Sequence, residues 1–360
     1  MPAPDAAPPP SGACALASDL RGSAACHFLV GMGNDLQNDH NMDGAYTLGT
    51  TVDLHYAYLV GLPTQGGWPD WNTGGTFVDI LADSADQHGV TPMFTLYGMA
   101  ADGDGNFGMT TDAVAMPLYW QGAKLLFQRL AVFGKPAVVH IEPDFWGYAM
   151  EQSMDGTAKV LVGSVDPDCA DQPDNLIGMA GCLMKLARSL SPKVAIGFHA
   201  SSWGGTQDQV IQFFKTIHAD QADFVATDML DRDAGCYEAA TDPNCMRGSG
   251  QWYWDETNQT SPNFSENLAW VSAVTAGLKL PMMWWQVPLG VPSTTPGGTS
   301  GHYRDNRVHY MFNHMDQFVA AGGIGAVFGV GAGNQTDITT DGGQFKNAVA
   351  SYFASPVSLP

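Results

Sequence analysis

Short apolar runs of strand-forming residues recur along the chain, and longer segments with helical spacing separate them. The clearest run is Ala137–Ile141, which is apolar at almost every position and ends at the triplet Glu142-Pro-Asp144. A run without polar alternation predicts a strand that is buried on both faces, as parallel strands under helices are. Seven similar runs predict further strands, at His27–Met32, Leu54–Gly61, Thr91–Tyr97, Lys193–His199, Phe224–Asp228, Leu280–Gln286 and Ile324–Gly329.

The segments between these runs place apolar residues on one helical face. In residues 76–88, for example, Phe77, Ile80, Leu81 and Ala85 have this spacing. Other predicted helices cover Val114–Phe133, Leu176–Leu190, Gln207–His218, Asn267–Leu278 and Tyr310–Ala321.

Eight strands that alternate with helices predict an α/β fold, a single (β/α)8 barrel of the TIM type with insertions in its loops. The alternative is a doubly wound open sheet. Such a sheet usually has a Gly-rich phosphate-binding turn after its first strand, and none opens a helix in this chain. We predict that the barrel spans residues 13–360 as one domain, and that the Pro- and Ala-rich residues 1–12 form a disordered linker.

Six cysteines form three pairs that are close in sequence, and none has the spacing of zinc ligands. We therefore predict three local disulfides that fix loops, namely Cys14 with Cys26, Cys169 with Cys182 and Cys236 with Cys245. Disulfides form in oxidising compartments, so the chain is predicted to be secreted, either to the periplasm or outside the cell. No apolar run reaches the roughly 18 residues that a membrane span needs.

The charge of the chain restricts its partners. With 36 acidic and 15 basic residues, the formal net charge is -21, and only 14% of residues are charged. A surface so poor in basic residues disfavours nucleic acid and anionic membranes as partners. A neutral polysaccharide or oligosaccharide fits best, and the sequence leaves the oligomeric state open.

Carboxylates and aromatic residues follow the predicted strands, and the carboxyl ends of parallel strands meet at one mouth. This combination is what a sugar-cleaving cleft requires, because aromatic faces stack on sugar rings while an acid and a base flank the glycosidic oxygen. The candidate catalytic residues are Glu142, Asp144, Asp228, Asp102 and Asp104. The candidate substrate-binding residues are Tyr97, Trp146, His199, Trp203, Trp284, Trp285 and Gln286. Core packing is the alternative for at least one of the adjacent pair Trp284 and Trp285.

A mechanism follows as a hypothesis. Glu142 ends a buried strand, so desolvation is expected to raise its pKa and suit it to donate a proton to the leaving oxygen. Asp228, or one of Asp102 and Asp104, would then act as base or nucleophile. Asp144 would tune this pair or bind a sugar hydroxyl. The distance between the two carboxyl groups decides between retention and inversion.

The segment Val138-Val-His-Ile-Glu-Pro-Asp144 resembles the strand-end Glu-Pro-Asp signature of the glycoside hydrolase family 6 cellulases, which cleave β-1,4-glucan with inversion. Upstream, Phe94–Tyr97 with Asp102 and Asp104 lies where that family has a Tyr-containing strand and the loop with its catalytic acid. Downstream, Gly197–Trp203 is similar to the family's Asp-Ala-Gly-His-x-x-Trp segment. The resemblance implies a glycosidase that acts on a β-glucan.

The sequence also departs from that family. The family's Asp-Arg-Asp-Cys motif is here Ala101-Asp-Gly-Asp-Gly105, and its Lys-Pro-x-Gly-Glu segment is replaced by Trp285–Gly290. These departures suggest a distant or separate family with an altered substrate.

Two other functions remain open. The same rim would serve a non-catalytic carbohydrate-binding barrel, in which the carboxylates only accept hydrogen bonds from hydroxyls. A polysaccharide lyase that acts on uronates is ranked lower, because it needs basic residues at the mouth and only Arg232, Arg304 and Arg307 are near. No cofactor is predicted. A calcium loop beginning at Asp102 is the alternative for 102–113, but Phe107 stands where the loop needs glycine.

Overall fold

All eight predicted strands are present and close into one parallel barrel. The structure is a computed structural model that describes residues 12–22, 26–33, 44–247, 250–292 and 297–360. Each strand pairs in parallel with its neighbours in the chain, and the last strand pairs with the first to close the barrel. The strands are β1 (Leu29–Gly33), β2 (Leu54–Val60), β3 (Thr91–Tyr97), β4 (Ala137–Ile141), β5 (Val194–His199), β6 (Phe224–Thr227), β7 (Met282–Val287) and β8 (Gly323–Phe328). The prediction of a (β/α)8 barrel is confirmed.

The strands are buried on both faces. Every residue of β1 and of β4 to β8 is buried. Only β2 and β3 become partly exposed, at Tyr58, Val60 and Tyr97, where they reach the mouth of the barrel. Helices therefore cover the outer faces of the strands, as the unbroken apolar runs predicted.

Helices follow the strands around the barrel. They are Gly12–Arg21, Gly44–Thr47, Trp68–Trp71, Phe77–Gln87, Ala115–Phe133, Phe145–Gln152, Leu176–Leu190, Gln207–Thr216, Ala234–Ala239, Phe264–Leu278, Arg307–Asn313, Met315–Ala320 and Gln344–Ala354. The single helix predicted over Tyr310–Ala321 is wrong, because the chain breaks at His314 between two shorter helices. No helix in the described ranges is long and apolar enough to cross a membrane.

Three disulfides join the cysteines as predicted, with Cα–Cα distances of 4.9, 5.6 and 5.7 Å. These distances are normal for disulfides. Cys14–Cys26 ties the first helix to the segment that enters β1. That helix begins at Gly12, and the rest of the predicted linker lies outside the described residues.

The loops after β6, β7 and β8 are joined by buried charged groups. Asp233 accepts hydrogen bonds from the backbone amides of Gly290 and Thr336, which belong to the other two loops. Asp305 accepts one from the amide of Ala234 and forms an ion pair with Arg307, and both side chains of the pair are completely buried. These bonds fix one side of the barrel mouth.

Candidate active site

A cavity of about 460 Å³ opens at the carboxyl ends of the strands. Its walls come from all strands between β2 and β7 and from the loop after β8, so only the closed barrel assembles it. The residues that line it are Tyr58, Tyr97, Asp104, Asp144, Tyr148, His199, Trp203, Asp228, Asp231, Arg232, Arg247, Trp285, Gln286 and Gly331. Eight of the twelve predicted site residues are among them.

Tyr97 connects two carboxyl groups at one side of the cavity. Its hydroxyl oxygen lies 2.6 Å from Asp104 Oδ1 and 2.8 Å from Asp144 Oδ2. A hydroxyl group has a single proton and donates only one of these bonds. The second short contact therefore needs a proton on one of the two carboxyl groups.

The surroundings of Asp144 favour the protonated carboxyl. Burial raises the pKa of Asp144 above its ordinary value, and the negative charges of Asp228 and Asp104 act in the same direction. The neighbouring His199 and the hydrogen bond between Asp144 and Tyr97 oppose this shift without cancelling it. Asp144 is thus the carboxyl group in this contact that is suited to keep a proton.

Asp228 faces the same cavity in a different environment. Its Oδ1 lies 3.3 Å from His199 Nε2, and 21% of its side chain is exposed. Burial would raise the pKa of Asp228, but the hydrogen bond from His199, together with the electrostatic effects of His199 and Arg247, holds the pKa below its ordinary value. Asp228 is therefore ionised over a wider pH range than Asp144.

The backbone at two strand ends is strained where it enters the site. Glu142, Asp144 and Gln286 have φ values of 48°, 62° and 53°, which non-glycine residues seldom adopt. Each such residue costs on the order of 1–3 kcal/mol, and such strain clusters at functional sites. Pro143 stands between the first two and breaks the strand, so that Asp144 turns into the cavity.

Glu142 does not line the cavity. Its side chain is fully buried, and its two carboxyl oxygens each accept a hydrogen bond of 3.0 Å from the amides of Gly98 and Met99. Burial raises the pKa of Glu142 to about 8, against the opposing effect of these amides and of the Tyr119 hydroxyl. The pKa rises as the sequence predicted, but the carboxyl group holds the loop after β3 and has no access to a substrate.

Aromatic rings form two other parts of the wall. Trp203 and Tyr148 lie 4.6 Å apart between ring centroids, and Trp203 is 42% exposed at the mouth. Deeper in the cavity, Trp285 contacts Tyr58 edge to face at 5.4 Å. The hydroxyl of Tyr58 donates to the side-chain oxygen of Gln286. The cavity thus has an open aromatic surface at its entrance and a rigid aromatic floor.

The two arginines of the cavity are bound to one carboxylate. Arg247 forms two bonds to Asp231, of 2.7 and 3.3 Å, and Arg232 forms an ion pair with the same group. Tyr237 donates a further hydrogen bond of 2.6 Å. This arrangement closes part of the wall and gives both arginines an ion-pair partner.

Three other predicted residues lie outside the cavity lining. Trp146 lies in the first turn of the helix Phe145–Gln152, is buried, and donates its indole N–H to the carbonyl of Ile141. Trp284 packs in the core, and its indole N–H donates to Asn267. Side chains alternate along a strand, so Trp284 points away from the cavity because its neighbour Trp285 points into it. Asp102 is exposed and accepts a hydrogen bond from Asn106.

Six residues of the lining were not among the predicted site residues, namely Tyr58, Tyr148, Asp231, Arg232, Arg247 and Gly331. Tyr58 lies inside a strand, where a tyrosine usually belongs to the core. Tyr148 follows Asp144 by four residues, and this helical spacing was the one signal that could have identified it. Arg247 comes from the disulfide-linked segment after β6, and nothing in its sequence surroundings points to the cavity. Within the described residues, no three His, Cys, Asp or Glu side chains group as metal ligands would.

Comparison with known proteins supports the fold. The sequence matches no protein-family profile and no curated protein. Among solved structures, a complex of a GH113 β-1,4-mannanase aligns with a TM-score of 0.51 and 8% identity, over 92% of this chain and 99% of that one. The GH53 catalytic domain of Ignisphaera aggregans aligns with a TM-score of 0.46 and 11% identity, over 97% of this chain and 98% of that one. The β-amylase catalytic domain of Paenibacillus polymyxa aligns with a TM-score of 0.45 and 12% identity, over 91% of this chain and 99% of that one. At these identities the likeness establishes a TIM-type barrel and no more, and the resemblance to family 6 stays a prediction.

Proposed function

We propose that the protein is a secreted glycoside hydrolase that cleaves a neutral polysaccharide or oligosaccharide, with a β-glucan as the first substrate to test. The observation that carries this proposal is the pair Asp144 and Asp228, which face one cavity in environments that shift their pKa values in opposite directions. Two carboxyl groups with separated pKa values are what an acid and a base require. The mannanase similarity is consistent with this reading through the fold alone.

Asp144 acts as the general acid in this proposal. Its carboxyl group gives its proton to the glycosidic oxygen as the bond from that oxygen to the anomeric carbon breaks. The contact with Tyr97 supports this role because it needs a carboxyl proton. The acid role that the sequence suggested for Glu142 passes to Asp144, two residues later, because Glu142 is out of reach of a substrate.

Asp228 acts as the base. Its carboxylate takes a proton from a water molecule whose oxygen bonds to the anomeric carbon, which gives hydrolysis with inversion as the family 6 resemblance implies. Bond breaking and bond formation then balance: one water is consumed and one new hydroxyl group forms on each fragment. Measurement of the anomeric configuration of the first product by NMR separates this route from direct attack by Asp228, which gives retention.

The wall of the cavity supports a neutral sugar over a uronate. Trp203 and Tyr148 offer a surface on which a sugar ring can stack. A lyase would need uncompensated cations for the uronate carboxylates, whereas Arg232 and Arg247 are both bound to Asp231. The three disulfides favour an oxidising compartment and hence secretion.

The test is product release from a panel of neutral glucans, mannan, xylan, chitosan and a uronate polymer. Asp144→Asn and Asp228→Asn should each lower kcat by roughly 10²–10⁴-fold, since each removes one proton-transfer group. Glycan binding should persist in both variants. Asp316→Asn, which makes the same change at an exposed position on the helix before β8, should leave kcat unchanged.

Glu142→Gln separates the two possible acids. The side-chain NH2 group of glutamine would face one of the two backbone N–H groups that donate to the Glu142 carboxylate, so that two donors would meet. A loss of stability of about 1–3 kcal/mol is therefore expected, with kcat largely retained. Loss of turnover in Glu142→Gln but not in Asp144→Asn would return the acid role to Glu142. Binding of a glycan without release of any product would identify the protein as a carbohydrate-binding barrel instead.

A further inference from the structure

A row of hydrogen-bonding side chains crosses three strands and ends at Asp228. Thr95 Oγ1 on β3 lies 3.4 Å from His140 Nδ1 on β4, and His140 Nε2 lies 3.1 Å from His199 Nδ1 on β5. His199 Nε2 then contacts Asp228 Oδ1 at 3.3 Å. Thr95, His140 and His199 are buried, and Thr95 and His140 do not line the cavity.

The row has a preferred direction when both imidazoles are neutral. A neutral imidazole donates from one nitrogen and accepts at the other. His199 must donate from Nε2, because a lone pair there would face the carboxylate of Asp228. Its Nδ1 then accepts from His140 Nε2, which leaves His140 Nδ1 to accept from the hydroxyl of Thr95. One choice of tautomer at each ring therefore satisfies all three contacts.

Burial keeps His140 in the neutral form that this direction needs. Burial and the neighbouring His199 hold the pKa of His140 well below its usual range. Both rings also pack edge to face against Trp285, at 4.9 Å for His140 and 5.6 Å for His199, which limits their rotation. The charged groups that act on this end of the row are Asp228 after β6, Asp144 after β4 and Arg247, which acts on Asp228.

We propose that His140 is a positioning residue, which holds His199 in the Nε2-protonated tautomer so that Asp228 always has a hydrogen-bond donor and stays ionised. Its effect on catalysis depends on the proposed function, in which Asp228 is the base. The tautomer assignment does not depend on it. His140 thus acts on the reaction through His199 without touching a substrate.

The tautomers can be measured directly in the folded wild-type protein. Side-chain ¹⁵N chemical shifts at neutral pH should show protonated Nε2 and unprotonated Nδ1 in both His140 and His199. A proton on Nδ1 of His199, with Nε2 bare, would overturn the proposal whether or not any glycan is cleaved.

Two variants of His140 test its effect on the reaction. His140→Leu removes the donor to His199 Nδ1, so the His199 tautomers should mix and kcat should fall roughly 10- to 100-fold, less than the loss of the base itself. KM should change little because position 140 is outside the cavity. His140→Gln keeps an amide donor and should restore the single His199 tautomer and most of kcat.

The two kinds of failure give different results. Unchanged His199 shifts and unchanged kcat in a folded His140→Leu protein would overturn the proposal. Absence of hydrolysis on every glycan would overturn the proposed function alone, and the ¹⁵N spectra of the wild type and of His140→Gln would still decide on the row of hydrogen bonds.

Discussion

At the scale of single residues, Asp144 and Asp228 are chemically identical and differ only in their neighbours. Both are largely buried, but Asp144 lies near two other carboxyl groups, whereas Asp228 has His199 as a hydrogen-bond donor. Burial and like charge favour the protonated form, while a donor favours the ionised form. The proposed division of roles between the two aspartates therefore depends on the residues around them.

The pH dependence of kcat/KM should be bell-shaped with an acidic optimum. The base Asp228 must be ionised, so activity should disappear as the pH falls through its lowered pKa. The acid Asp144 must be protonated, so activity should disappear as the pH rises through its raised pKa. Initial rates over a range of about pH 3 to 9 check both limbs.

Asp104→Asn provides the control for the alkaline limb. The charge of Asp104 raises the pKa of Asp144, so its removal should move the alkaline limb to lower pH and leave the acidic limb in place. An alkaline limb that does not move, or a rate that keeps rising through neutral pH, would contradict the assignment of Asp144 as the acid.

At the scale of elements, the loops after β6, β7 and β8 form one unit at the mouth. The buried groups Asp233, Asp305 and Arg307 join them, and Arg304 adds a two-bond ion pair with Glu238 nearer the surface. The disulfide-linked segment Cys236–Cys245 belongs to this unit, and Arg247 follows it directly into the cavity wall. Any loosening of this segment should therefore weaken the contact between Arg247 and Asp231.

Replacement of Cys236 and Cys245 by serine should raise KM and lower the melting temperature. Loss of the cross-link over this short loop corresponds to about 2.5 kcal/mol of stability, and Arg247 loses the constraint that holds it against Asp231. Serine at Cys169 and Cys182 is the matched control, because the lost stability is similar but no residue within that loop or directly after it lines the cavity. Equal KM values in the two double variants would contradict this link between the disulfide and the cavity.

At the scale of the whole molecule, the negative charge of the chain continues into the cavity. The net charge is -21, and the cavity wall contains four aspartates against two arginines that both bind Asp231. Such a field repels polyanions and has little effect on neutral chains. The surface is thus expected to disfavour polyanionic glycans before a sugar contacts the proposed catalytic pair.

Uronate polymers should accordingly be neither bound nor cleaved, and the rate on a neutral glycan should vary little with salt. Added salt screens charge repulsion, so measurements with sodium chloride at about 0.05 and 0.5 M on both substrates separate repulsion from a lack of fit. The matching neutral polymer is the control. Cleavage of a uronate polymer at low salt would contradict both this prediction and the argument against a lyase.

The sequence alone determined the barrel and most of its rim. Unbroken apolar runs require strands covered on both faces, and polar residues directly after such runs must emerge at one mouth; Asp144, His199 and Asp228 could be placed there for this reason. Close spacing of the cysteines gave the disulfides. These features depend on local patterns, which a single sequence displays.

The tertiary structure decided which strand-end residues face the cavity. Because of the turn at Pro143, the Glu142 side chain contacts the buried loop after β3, whereas the Asp144 side chain lines the cavity. The sequence does not reveal which of these two neighbouring carboxyl groups faces the cavity. Arg247 reaches the wall from a distant insertion, and the row from Thr95 to Asp228 exists only because three strands lie side by side. Orientation, proximity and burial arise from contacts between segments far apart in the chain, and these same contacts shift the pKa values of Asp144 and Asp228 in opposite directions.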